Sequence, residues 1–414
     1  MKVLISGGGI AGPCLAYWLA RTRLDIVTTI VERSPFPRLT GQSIDVRGTA
    51  VDIVKKMGLE EAVRSRHTTE EGTVMIKRSG KGTFAHFKAG DVFTADYEIL
   101  RADLSQLFLE ATKGLTNVRY MYGDSIKSLE QTEENVNVTF ANGSKDTFDL
   151  VVAADGSTST TRPMILDQES LKGCYNFLGQ YIAFYSIPKQ DQDPKLWQIY
   201  NPARGLCIMI RPHNNTSTMG VYLCVTTPSH SQRDPAIEAA MKEGSEATKR
   251  KLREYFEDLG WQAKRVLDGM DHAEDFYFTR AAQVKIPKWT NQRSVVMGDA
   301  AFATFGVGTT LAISSAYTLA GELSKIKTSD EIPQALENYE QVFRSLYAKM
   351  EDLPPGYPQI VFPQSPWAIR LRDFLIWAVS ATKAYKLIPG EGGVDFMLPM
   401  YEWKDVLEGK EVQT

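Results

Sequence analysis

A glycine-rich turn set directly after an apolar strand, at the very start of the chain, constrains the fold more than any other feature. Lys2-Val-Leu-Ile-Ser ends in Gly7-Gly-Gly-Ile-Ala-Gly12, as a buried parallel strand ends in a turn. Gly7, Gly9 and Gly12 supply the pattern GxGxxG. The first allows a tight turn, the second lets backbone approach a pyrophosphate, and the third lets helix and strand pack closely. A helix is expected from Ala11, with Pro13 in its first turn, where a missing N–H costs little. Leu15, Trp18 and Leu19 give that helix an apolar face. A second strand, Val27–Val31, ends at Glu32, whose carboxylate is placed to accept hydrogen bonds from a ribose. Arg33 follows it. This is a βαβ opening for a dinucleotide, whose negative charge the helix N-terminus favours. The pattern does not separate NAD from FAD.

Two later segments make that separation. Leu150–Ala154 reads as a buried strand running into Asp155-Gly156-Ser-Thr-Ser159 and then Arg162. Arg293-Ser-Val-Val-Met leads into Gly298-Asp299-Ala-Ala. Gly306, Gly308 and Thr309 then precede a helix at roughly 310–325, whose positive end could point toward a flavin ring. Singly, each segment could be a surface turn. Jointly they resemble the DGxxSxxR and GD signatures of class A, single-component FAD-dependent monooxygenases, the group of aromatic hydroxylases and tetracycline-inactivating enzymes. The resemblance runs to about residue 345 and includes Gly41-Gln-Ser-Ile-Asp-Val-Arg47-Gly and Leu100-Arg101-Ala-Asp-Leu.

The resemblance implies several roles. Asp299 would bind the ribityl chain of FAD, and Arg101 would lie near its ribose or pyrophosphate. Residues 42–47 would flank the ring system, with Arg47 the one candidate for a catalytic part. Either arginine could instead be an ion-pair partner. NADPH or NADH would serve as transient electron donor, and O₂ would be consumed to hydroxylate or epoxidise a hydrophobic aromatic or polycyclic molecule, such as those of secondary metabolism. The cofactor carries the hard step, so few protein acids or bases are needed. Accordingly His86, His213 and His272 have no identified partners, and no metal site is expected.

One departure stands out. Only Phe302-Ala-Thr-Phe305 separates GDAA from Gly306-Val-Gly308, where related chains have a longer stretch, often with proline. The altered loop keeps open a flavin oxidoreductase that desaturates, cyclises or rearranges without inserting oxygen. A non-catalytic flavin-fold binding protein is the other alternative.

Residues 172–275 change character. Tyr181–Ile187, Leu196–Ile199, Leu206–Arg211 and Met219–Thr226 read as strands rich in aromatic and β-branched residues. A polar helical stretch follows at 235–259. Val136–Phe140 and Thr147–Ala154, joined through Asn142-Gly143, read as a hairpin. The expected fold class is α/β: a Rossmann-like FAD-binding domain carrying an inserted antiparallel sheet and C-terminal helices. The FAD domain is assigned to residues 1–72, 100–170 and 276–350, the substrate domain to 73–99 and 171–275, and a helical region to 351–414. Substrate-pocket candidates are Tyr185, Trp197, Tyr200, Met209, Arg211, Tyr222 and Phe305; alternation along the strands aims only some of them at the ligand.

With 414 residues, 43% hydrophobic and 23% charged, the chain can bury a large core. A net charge of −3 leaves no basic surplus for nucleic acid. Cys14, Cys174, Cys207 and Cys224 show no metal-like spacing and read as free thiols. No signal peptide or membrane span is evident, and a cytoplasmic location is expected.

Overall fold

The computed structural model describes residues 1–37, 41–90, 97–214, 217–387 and 397–404. Two large sheets organise it. The first has six strands in the order Thr290–Asn291, Ser294–Val296, Leu150–Ala153, Lys2–Ser6, Val27–Glu32 and Val118–Tyr122. All its neighbours pair in parallel except the first two.

Its central strands are apolar at successive residues because both faces are covered. Val3, Ile5, Ile30 and Val152 pack against the helices Ala11–Ala20, Arg101–Lys113 and Gly308–Leu323. Leu4, Val31 and Val151 face the other way, onto a three-stranded sheet through Ile126, Val136, Val138, Phe140 and Phe148. That small sheet corrects the expected hairpin. Only Lys145–Phe148 returns against Val136–Phe140; after Asp149 the chain enters the parallel sheet beside Lys2–Ser6. The break lets one extended segment serve two sheets.

The second sheet has seven strands, in the order 277–284, 175–188, 218–226, 206–212, 197–203, 72–76 and 83–88. Its outermost strand, Tyr277–Val284, thus lies in a segment assigned by sequence to the nucleotide domain. Gly72–Ile76 arrives from far upstream and pairs in parallel with Trp197–Ala203. One face of this sheet packs on helices. The expected stretch 235–259 is two of them, Pro235–Glu243 and Ser245–Phe256, parted by Gly244 at φ +112°. A third, Ala263–His272, escaped the sequence reading; its apolar face is Ala263, Val266, Leu267 and Met270. The other face packs in part on Phe362 and otherwise borders a cavity. The helix Pro366–Thr382 closes the far edge, where Ser380 Oγ accepts from His86 N at 3.1 Å. Among the described residues no helix is long and apolar enough to cross a membrane.

Candidate active site

The three glycine-bearing segments converge because each fills space the others leave. A Cβ on Gly7 would lie 2.4 Å from Ala154 O, and one on Gly298 3.1 Å from the Ala11 Cβ. Ser6 Oγ and Thr161 Oγ1 are 2.9 Å apart. Arg162 Nη1 donates to Ser157 O at 3.2 Å and to Ala300 O at 2.8 Å, tying the second segment to the third. The Asp155 carboxylate accepts from Thr160 N, Thr161 N and Thr161 Oγ1 at 3.0–3.1 Å. Asp155 therefore shapes its own loop, while Gly156 turns the chain at φ +87°.

Beside this junction is a cavity of about 1290 Å³, more than the roughly 300–1,000 Å³ that holds one drug-sized ligand. Gly7, Gly9, Glu32, Arg33, Arg47, Arg101, Asp155, Gly156, Asp299, Gly306, Gly308 and Thr309 all line it. Gly12 does not; it sits beneath, where a Cβ would meet Gly7 O at 2.1 Å. Gly9 has nothing within 4 Å of its would-be Cβ, so a ligand can approach the backbone there. Glu32 accepts from Gly8 N at 2.8 Å and Ser34 N at 2.9 Å, which fixes the carboxylate at the cavity wall. Burial raises the pKa of Asp299, with the Arg101 charge opposing. No hydrogen bond reaches the Asp299 carboxylate among the described residues. Helix N-terminus, glycine cradle, fixed acid and half-buried acid suit a pyrophosphate, a ribose and a polyhydroxyl chain in turn. These residues fit FAD.

A family profile described as "FAD binding domain" matches residues 1–353. Monooxygenase CTB7 of Cercospora beticola is 32% identical, covering 97% of this chain and 98% of its own length. The flavin-dependent monooxygenase eupH of a Phoma species is also 32% identical, over 89% of this chain and 90% of its own. The chain belongs to the FAD-dependent monooxygenases. Among solved structures, tetracycline destructase Tet(51) superposes with a TM-score of 0.76 at 27% identity, over 97% of this chain and 99% of that one.

In this monooxygenase the second sheet forms the other cavity wall, and strand parity decides which side chains reach it. Tyr222 lies opposite Phe184 and Met209, and Arg211 is two residues further along from Met209. Trp197, Met209, Arg211 and Tyr222 line the cavity together with Ile182, Phe184, Ile199 and Tyr277. Tyr185 and Tyr200 are corrections. Both fall on the opposite parity, in the core beneath the sheet. Tyr185 Oη donates to Val266 O at 2.9 Å and Tyr200 Oη to Leu259 O at 2.7 Å.

The short loop after GDAA is anchored from both ends. Phe302 is buried, its ring centroid 5.0 Å from that of Trp289 and 5.2 Å from that of Phe343. Phe305 turns outward to the cavity and packs on Tyr357, with centroids 4.5 Å apart. The C-terminal region thereby joins the site, with Ile360, Phe362, Arg372 and Ile376 also in the wall. Sequence reasoning missed all of these, since no motif marks them; the outward aromatic at 305 was the only hint of a facing partner. The four cysteines are free and buried. No cluster of metal-ligating side chains occurs among the described residues.

Arg47 is held in place by its neighbour. Its Nη2 lies 2.7 Å from Asp45 Oδ2, and its backbone N donates to Thr310 Oγ1 at 3.3 Å. Two substitutions separate the roles of this wall. Asp299→Ala should lower FAD content severalfold after gel filtration, read as flavin absorbance per chain, with little change in melting temperature. Unchanged occupancy would remove Asp299 from the cofactor site. Arg47→Ala should slow reduction by NADPH more than it lowers FAD content. Equal loss of both would make Arg47 a structural residue.

Proposed function

We propose that this monooxygenase uses NADPH, or NADH, and O₂ to hydroxylate or epoxidise a hydrophobic aromatic or polycyclic small molecule. The observation that carries this reading is the composition of the cavity wall facing the glycine segments. Ile182, Phe184, Trp197, Ile199, Met209, Tyr222 and Tyr277 offer flat and flexible apolar contacts, with Arg211 the one full charge among them. Such a wall suits a large planar ligand lying between sheet and cofactor. The likeness to a tetracycline destructase supports a polycyclic ligand of this kind.

Bound FAD would supply the redox chemistry, taking electrons from the nicotinamide and activating O₂. The chain's own residues do the rest. Gly7, Gly9, Glu32, Arg33, Arg101 and Asp299 would fix the cofactor. The apolar wall would hold the ligand ring at reacting distance and exclude water. Phe305 packs against Tyr357 where the loop meets the C-terminal region. Turnover of phenolic and polycyclic candidates under ¹⁸O₂ tests the reading. Label in the product, with NADPH consumed in proportion, is the expected result. A product lacking two hydrogens and any label would refute it.

A further inference from the structure

Three arginines line the cavity away from the glycine segments, and each already faces a carboxylate. Arg47 is paired with Asp45 at 2.7 Å and Arg372 with Asp373 at 2.5 Å. Arg211 faces two acids. Its Nε donates to Glu70 Oε2 at 3.0 Å, and its Nη2 contacts both Glu70 and Glu98. The three side chains are 7%, 1% and 1% exposed. Of the three, only Arg211 lines the cavity; both glutamates stand behind it.

The remaining groups sharpen the picture. The guanidinium carbon lies 4.0 Å from the Trp197 ring centroid and 6.0 Å from that of Tyr222, both in the cavity wall. Arg211 Nη1 donates to no protein group among the described residues. Glu70 Oε1 and Glu98 Oε2 are buried without partners. Two carboxylates against one guanidinium carry a net charge of −1 when both are ionised, and zero when one keeps a proton. Burial raises the pKa of Glu98 despite the attraction of Arg211, which favours the second state. In neither is any positive charge left over. An anion entering would give up its hydration with no net positive charge to offset that loss. A neutral carbonyl or phenol would still find a donor at Nη1 and an aromatic face at Trp197.

We infer that the Glu70–Arg211–Glu98 cluster makes this cavity selective for neutral oxygenated aromatic molecules and against aromatic carboxylates. The inference rests on the aromatic-ligand reading and adds a charge requirement to it. It assigns Glu70 and Glu98, which touch no ligand themselves, as residues that set specificity through Arg211.

A matched pair of probes tests it: a hydroxynaphthyl methyl ketone and the corresponding hydroxynaphthoate. Binding to the FAD-loaded full chain is read at neutral pH by quenching of flavin fluorescence. The wild type should bind the ketone about tenfold or more tightly than the acid, the scale of one unmatched charge a few ångströms away at an effective dielectric of about 20. Glu98→Gln, which mimics the protonated acid, should narrow that ratio far less than loss of both acids. The double variant Glu70→Gln/Glu98→Gln, which frees one positive charge, should shift it toward the acid by about tenfold or more. The wild-type comparison needs no variant to fold, and FAD content controls the variants. Equal or tighter binding of the acid by wild type overturns the inference, as does an unchanged ratio in an FAD-loaded double variant. If neither probe binds the loaded wild type, the aromatic-ligand reading fails, and this inference falls with it.

Discussion

Arg211→Ala is expected to destabilise the protein by about 3–5 kcal/mol, because removing one member of a buried ion cluster strands the others. Glu70 and Glu98 would remain in the interior with no cation to answer them. Trp197 would also lose the guanidinium stacked on its ring. Urea unfolding at several pH values checks this. The pH slope has a definite sign. In the wild type, burial holds Glu98 above the ordinary carboxylate range, to about 8. The folded chain therefore keeps a proton that the unfolded chain has released, and this group's contribution to stability falls as pH rises from about 5 to 8. Without Arg211 the same window should show a steeper fall, and the variant should be least impaired at the acid end. A loss below about 1 kcal/mol, the range of exposed pairs, would mean the acids are solvated rather than buried.

The second large effect belongs to a glycine that no ligand touches. Gly12→Ala would place a methyl 2.1 Å from Gly7 O and 3.2 Å from Ile5 Cγ2. Both are fixed, one in the turn and one in the central strand, so the helix Ala11–Ala20 must lift off the sheet. The cost is expected at about 3 kcal/mol or more, at the upper end for overpacking, with FAD lost as the helix N-terminus moves. Gly9→Ala makes the contrast, since its Cβ meets nothing within 4 Å. It should melt near the wild-type temperature yet bind FAD poorly, because the methyl occupies the path by which a pyrophosphate nears the backbone. Thermal unfolding measured alongside flavin absorbance distinguishes the two. Equal melting temperatures would refute the packing role of Gly12.

What the sequence disclosed and what it hid follow from distance along the chain. Gly7 to Glu32 is one contiguous unit, and its turn, helix and acid are fixed by local backbone needs, so it was legible. Asp155 and Asp299 were legible because each follows a buried strand into a glycine. The substrate wall was half legible. Tyr185 and Tyr222 sit on strands of the same character, and only the pairing of Tyr222 with Phe184 and of Tyr185 with Val221 decides which faces the ligand. That register is set by neighbours, not by either strand's own residues. Glu70 and Glu98 were invisible. They lie 141 and 113 positions from Arg211, and nothing in an isolated glutamate says that it will be buried against a distant arginine. The break at Asp149 was missed for a related reason: Thr147–Ala154 reads as one extended stretch, and only the competing edge of Lys2–Ser6 draws Leu150–Ala153 away.

That competition has a consequence for how the protein is born. The strand Lys2–Ser6 is flanked in the finished sheet by Val27–Glu32 and Leu150–Ala153, and the latter is flanked in turn by Ser294–Val296. At about 5–20 residues per second, Leu150–Ala153 waits roughly 7–30 s after its own synthesis for Ser294–Val296 to be made. During that interval a fully apolar strand has an open edge. The nascent chain's need for a chaperone should therefore peak midway through translation and end near residue 296.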